Sequence, residues 1–151
     1  MPFDRLIEAV DRWAMERSRT DVFAQIGQSN LRPRALQAVA SLTPAEFRDR
    51  VRQADLLVSH AGMGTILTAL QYSKPIVILP RRGSLQETRN DHQVATAEKF
   101  RTLDWLEVAL DESELLQCLD RLDGAASKKT LAPIASPSLL EGLRSFLAEH
   151  V

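Results

Sequence analysis

Several absences narrow this sequence before any motif is read. It has one cysteine, Cys118. An internal disulfide and a cysteine-based metal cluster are therefore both out of reach, which agrees with a reducing compartment and makes the cytoplasm the expected location. It has no charge excess: the formal net charge is −1 at pH 7. Arg81, Arg82 and Arg89 fall near one another, but no long basic tract surrounds them, so nucleic acid is not an expected partner. No apolar run approaches the roughly 20 residues that span a bilayer, and the start lacks the basic-then-apolar order of a signal peptide. Attachment to a membrane would have to come through another molecule. No internal repeat is visible.

What is present reads as an ordinary globular domain. At 151 residues, 44% apolar and 26% charged, the chain can bury one core, and residues 1–151 are taken as a single domain. That length is short for a complete two-domain enzyme.

Along the chain, strand and helix patterns alternate. Leu6, Ile7, Val10, Trp13 and Ala14 fall at spacings of three and four within Pro2 to Arg17, which predicts an amphipathic helix. Asp21 to Gly27 is short, apolar and stopped by glycine, so it reads as a strand, with Ala35 to Leu42 a weaker second and Gln28 to Arg34 a loop between them. Thr43, Pro44 and Glu46 form a helix start running to about Gln53. Asp55 to Ser59 is a buried strand that leads through a glycine segment into the helical spacing of Ile66, Leu67 and Leu70. Lys74-Pro75 ends that helix. Ile76 to Leu79 then has the composition of a parallel strand covered on both faces. After a polar loop, Asp91 to Arg101 reads as a helix, Trp105 to Leu110 as a strand and Glu112 to Leu122 as a helix. Gly124 to Lys129 is expected to be a flexible connection, and Ser138 to Glu149 a last helix. The alternation predicts the α/β class with a doubly wound parallel sheet.

In such sheets ligands sit outside the carboxyl ends of the strands, where Ser59-His60-Ala61-Gly62-Met63-Gly64-Thr65 joins a strand to a helix. Gly62 and Gly64 let the backbone turn sharply and come close to a ligand, while the free amides and dipole of the following helix favour an anion such as phosphate. Thr65 could add a hydroxyl, and His60 a ring N–H. The plainer alternative is a tight turn beside a core histidine. The stretch lacks the lysine of a P-loop and the three glycines of a dinucleotide fingerprint. A second polar stretch, Glu87-Thr-Arg-Asn-Asp-His-Gln93, holds donors and acceptors that suit sugar hydroxyls. Asn90 or Asp91 could instead cap the next helix, and His92 could be an exposed helix residue.

Three blocks in order carry a resemblance: Ser59 to Thr65, then Lys-Pro-Ile-Val-Ile-Leu-Pro ending at Pro80, then Asn-Asp-His-Gln-Val-Ala-Thr-Ala-Glu-Lys-Phe ending at Phe100. Together they resemble the C-terminal, donor-binding domain of family 28 glycosyltransferases from about Pro2 to Leu110. Within that family they are most similar to split enzymes, which work in dolichol-linked oligosaccharide synthesis and in bacterial exopolysaccharide assembly. The resemblance implies a Rossmann-like GT-B half. Ser59, His60, Ala61, Gly62, Met63, Gly64 and Thr65 would hold the nucleoside diphosphate. Asn90, Asp91, His92 and Gln93 would lie at the donor sugar or ribose, and Gln25 and Gly27 would line the nucleotide cleft.

Two departures stand out. Related chains begin with a strand and a Gly-Thr turn, whereas Met1 is followed at once by Pro-Phe-Asp-Arg-Leu-Ile. The first strand is therefore expected to be missing, through a truncated start or an incomplete sheet. The ribose carboxylate usual after the glycine turn is also absent, since Leu67-Thr68-Ala69 stands there, and Glu87 is the candidate substitute.

The expectation is a donor-binding subunit that uses a UDP-sugar as substrate, needs no metal or other cofactor, and stabilises the leaving diphosphate through His60 and amides. A membrane-anchored partner subunit would supply the catalytic base and the site for a lipid-linked acceptor, placing the pair at the inner face of the membrane. Arg81 and Arg82 could face an acidic donor such as UDP-glucuronate, or be solvated. The stripe of Leu6, Val10 and Trp13 could be a partner face or core. The alternative function is a non-catalytic nucleotide-sugar sensor or assembly module.

Overall fold

The computed structural model describes residues 1–101, 106–126 and position 145. The order is α1 (Asp4–Glu16), β1 (Phe23–Gln25), β2 (Gln37–Val39), α2 (Pro44–Gln53), β3 (Leu57–Ser59), α3 (Met63–Gln71), β4 (Ile76–Ile78), a 3-10 turn (Gly83–Leu85), α4 (His92–Phe100), β5 (Glu107–Val108) and α5 (Glu112–Ala126). All strand pairs are parallel. The expected α/β class with parallel strands and intervening helices is what the chain forms.

The sheet itself is divided. β1 pairs with β2, and β3, β4 and β5 form a separate sheet in that order. Among the described residues no strand precedes α1, and no hydrogen bond joins β1 to β3. The parallel strands expected of the class are present, shared between these two ladders.

β4 explains how the larger sheet is covered. Its residues alternate sides: Val77 and Leu79 join a core with Val10, Trp13 and Leu115 of α1 and α5. Ile76 and Ile78 join another with Ile66, Ala97 and Phe100 of α3 and α4. A strand with both faces dry has no polar side to show, which is why Ile76 to Leu79 is apolar throughout. The stripe of α1 is core and not a free face, since Val10 and Trp13 are buried and Leu6 packs against them. Trp13 keeps its indole N–H satisfied by donating to Asp120 of α5 at 2.9 Å.

Local chemistry sets several boundaries. Thr43 and Glu46 form the reciprocal capping bonds at the start of α2, with Pro44 in its first turn. Asp11 of α1 accepts from the amides of Arg34 and Ala35 at 3.1 and 2.8 Å, which holds the predicted loop against the helix. Gly124 lies inside α5 instead of starting a flexible connection. One helical glycine costs only about 1 kcal/mol, and the buried Leu115, Cys118 and Leu119 anchor the preceding turns. Trp105, positions 127–129 of the predicted connection and the helix expected over Ser138 to Glu149 lie outside the described residues, apart from position 145.

Candidate functional site

The glycine turn forms where the sequence placed it, between the carboxyl end of β3 and the start of α3. Ser59 is buried, and its carbonyl accepts from the Leu79 amide at 2.9 Å, tying the strand end to β4. Ala61 is buried in the core under α3 and α4, and Met63 packs against it. The Ala61 side chain therefore faces inward, and Met63 is half-buried.

Gly62 is the N-cap of α3 and provides no side-chain cap. The Ile66 amide bonds back to the Gly62 carbonyl, but the amides of Met63, Gly64 and Thr65 find no acceptor among the described residues. Three free N–H groups and the positive end of the helix dipole thus converge at one point. Gly64 has open space where a Cβ would stand. The Thr68 hydroxyl donates its one proton to the Gly64 carbonyl at 2.8 Å, which leaves it only acceptor capacity toward a ribose.

His60 folds back over this end of the helix. A Cβ on Gly62 would lie 2.3 Å from His60 Cε1 and 2.9 Å from Nε2. Glycine is required here for contact with the ring, since the backbone is extended and any residue could adopt it. His60 Nδ1 lies 3.4 Å from Gln93 Oε1 in α4, and the same oxygen accepts from the Arg81 amide at 3.0 Å. Burial lowers the His60 pKa, the charge of Arg81 lowers it further, and the Gln93 contact opposes both. The ring is thereby held on the neutral side at pH 7.

The polar stretch after β4 is organised around a different centre. Glu87 is buried and accepts from the Arg5 guanidinium at 2.7 and 2.9 Å and from the Arg82 amide at 2.9 Å. Burial pushes its carboxyl up, but the Arg5 and Arg82 bonds and the nearby arginine charges prevail, leaving its pKa below the usual value. With its oxygens held this way, Glu87 is a brace between α1 and this loop and not a substitute ribose ligand. Sequence reasoning had no signal for it, because Arg5 lies 82 residues away.

Arg81 and Arg82 are also spoken for. The Arg81 guanidinium donates to the carbonyls of Met1 and Glu87 and lies 4.8 Å over the Phe3 ring, while that of Arg82 donates to the Leu110 carbonyl. Asp91 accepts from the Gly83 amide at 2.9 Å, fixing the 3-10 turn, and makes no cap bond to α4. Asn90 takes the capping role instead, accepting from the His92 amide at 3.0 Å. His92 is exposed, with no ring partner among the described residues.

The structure therefore brings His60, the α3 amides, Arg81 and Gln93 together. Gln25 and Gly27 end β1 in the other sheet, both exposed, with no hydrogen bond to the turn. Gly27 has φ +61°, a left-handed conformation that favours glycine on backbone grounds alone. Among the described residues no group of three or more histidine, cysteine, aspartate or glutamate side chains could hold a metal ion.

Comparison with known proteins gives the family. The glycosyltransferase family 28 C-terminal domain matches residues 2–146. The UDP-N-acetylglucosamine transferase subunit ALG13 of Eremothecium gossypii is 34% identical over 97 residues, covering 64% of this chain and 43% of that protein. The chain thus spans under half the length of that relative. A solved structure, the glycotransferase of kitacinnamycin, aligns over 95% of this chain and 35% of its own with a TM-score of 0.53. At 24% identity, that likeness concerns the fold.

Proposed function

The chain belongs to glycosyltransferase family 28, as a C-terminal domain, and from that premise we propose that it is the donor-binding subunit of a two-component UDP-sugar glycosyltransferase. The observation that carries the reading is the uncapped start of α3, where the amides of Met63, Gly64 and Thr65 lie unpartnered beside the His60 ring. A diphosphate there would satisfy those donors and offset the helix dipole. As the bond to the sugar breaks, negative charge grows on the same oxygens, and donors already in place stabilise it. The relative's name, a UDP-N-acetylglucosamine transferase subunit, supports both a uridine nucleotide and a divided enzyme.

Transfer also requires an acceptor site and a base for its hydroxyl. Of the titratable side chains beside the turn, His60 is committed in this reading to the diphosphate and Glu87 is held by Arg5. A second subunit is proposed to bring the base and a lipid-linked acceptor, as in exopolysaccharide assembly. No helix among the described residues is long and apolar enough to cross a membrane, so the proposed site at the inner, cytoplasmic face is reached through that subunit. An acidic donor such as UDP-glucuronate would need a cation at the sugar, and the bonds of Arg81 and Arg82 to backbone carbonyls hold both guanidinium groups against the protein.

Calorimetry with UDP, UDP-N-acetylglucosamine, UDP-glucose and UDP-glucuronate tests the reading. The expected result is binding of UDP by the chain alone and transfer only in the presence of the second subunit. Binding without transfer beside that subunit would favour a nucleotide-sugar sensor, and no UDP binding would remove both. A clear preference for UDP-glucuronate, lost in Arg81→Ala, would restore the acidic-sugar reading.

A further inference from the structure

Gln93 does more at this site than offer an amide to a sugar. Its side-chain atom near Arg81 is identified by its bonding. The Arg81 backbone N–H lies 3.0 Å away and can only donate, so the atom facing it is the carbonyl oxygen. His60 Nδ1 faces the same oxygen at 3.4 Å. A carbonyl oxygen is matched only by a donor, so Nδ1 carries the ring proton. The lone pair of the neutral ring is then on Nε2.

Nε2 lies over the N-cap of α3, 2.9 Å from where a Cβ on Gly62 would stand, and has no hydrogen-bond partner among the described residues. A bare lone pair facing a diphosphate would repel it, because both are acceptors. The conflict disappears when Nε2 takes a proton from solvent, converting imidazole to imidazolium and the contact to N–H···O–P.

We propose that Gln93 is a positioning residue that fixes His60 as the Nδ1–H tautomer and so commits Nε2 to meet the donor diphosphate, with uptake of one proton there as the nucleotide binds. The inference rests on the diphosphate reading of the turn. The charged groups around the ring agree with it. Burial, and after it the charge of Arg81 from the segment after β4, keeps the free ring neutral. Glu87 behind it is paired with Arg5. From α4 the ring meets the uncharged Gln93, and neighbouring Asp91 is bonded to Gly83. α3 contains no charged residue. An arriving diphosphate would therefore be the anion that makes protonation of Nε2 favourable.

Two measurements test this, one needing no ligand. In the free protein, nitrogen-15 shifts of the His60 ring should show the Nδ1–H tautomer. Gln93→Glu, which keeps an acceptor oxygen, should preserve it, and Gln93→Leu should lose it. An Nε2–H ring in the wild type would overturn the proposal. With UDP, which has no sugar for Gln93 to touch, calorimetry in buffers of different ionisation enthalpy should report uptake approaching one proton above the free ring's pKa. Affinity should fall as pH rises there. Gln93→Leu should weaken UDP about tenfold, the loss of roughly one charge-assisted bond, while the carboxylate of Gln93→Glu should favour the charged ring before UDP arrives and so reduce the proton uptake. UDP binding without proton uptake would overturn the role given to Nε2. Absence of UDP binding would instead overturn the diphosphate reading, and the tautomer result would still decide what Gln93 does to the ring.

Discussion

Replacing Gly62 by alanine separates the backbone of the turn from the ring packed on it. Gly62 has φ −96° and ψ 136°, an extended conformation open to any residue. At a compatible position, Gly→Ala stabilises by about 0.4–1 kcal/mol through the unfolded chain. Here the new methyl would stand 2.3 Å from His60 Cε1 and 3.0 Å from Nδ1, so the ring has to swing away. That movement breaks the Gln93 contact, worth about 0.5–1.5 kcal/mol, and forces a poorer rotamer at a similar cost. The balance is a net loss of about 1 kcal/mol, read from urea unfolding. For UDP, removing a charge-assisted bond of about 1.5–3 kcal/mol weakens binding about 10- to 100-fold, read by calorimetry. The decisive comparison is a double-mutant cycle with His60→Ala. Without the ring, the methyl of Gly62→Ala meets nothing of His60, and both penalties should vanish. Equal penalties in the two backgrounds would refute the argument that glycine is needed for the histidine.

Other expected outcomes come from neighbouring features. Gly64→Ala has open space around its methyl and should raise stability by about 0.5–1 kcal/mol in unfolding experiments. Its UDP affinity should nonetheless fall, and unchanged affinity would move the diphosphate away from this turn. Arg5→Ala strands the buried Glu87 carboxylate and should cost about 3 kcal/mol in urea unfolding, whereas a loss below about 1 kcal/mol would deny the pair its bracing role. Stability should fall with acid in two stages. His60 has a folded pKa below the ordinary 6.5, so its contribution is present above that value and is lost as pH falls toward the folded pKa. The depressed Glu87 contributes above its ordinary 4.5, and that contribution is lost as pH falls through its folded pKa. Melting temperatures across the acid range should lose the upper stage in His60→Ala and the lower stage in Glu87→Gln. A profile unchanged by either substitution would contradict these assignments.

Much of the architecture was legible because its causes are local. The spacing of Ile7, Val10, Trp13 and Ala14 produced α1, the Thr43-Pro44-Glu46 start produced α2, and the dry run Ile76 to Leu79 produced β4. The glycine turn was readable for the same reason, being seven consecutive residues that carry the end of β3 into the start of α3. What escaped depends on distant pairing. Arg5 meets Glu87 across 82 residues and His60 meets Gln93 across 33, and neither bond leaves a periodic trace in the sequence. The polar loop therefore read as a supply of sugar-binding groups, although Glu87, Asp91 and the two arginines are engaged in holding the loop itself. The division into two sheets was equally invisible, because strand composition reports burial and not which edge finds a partner.

In the proposed function the start of α3, beneath His60, receives the diphosphate of a uridine nucleotide. Amide chemical shifts of the nitrogen-15-labelled chain during titration with UDP test it most directly. Saturable shifts are expected, concentrated at Met63, Gly64 and Thr65, with the His60 ring moving in step. No saturable shift, or shifts confined to another part of the molecule, would contradict it.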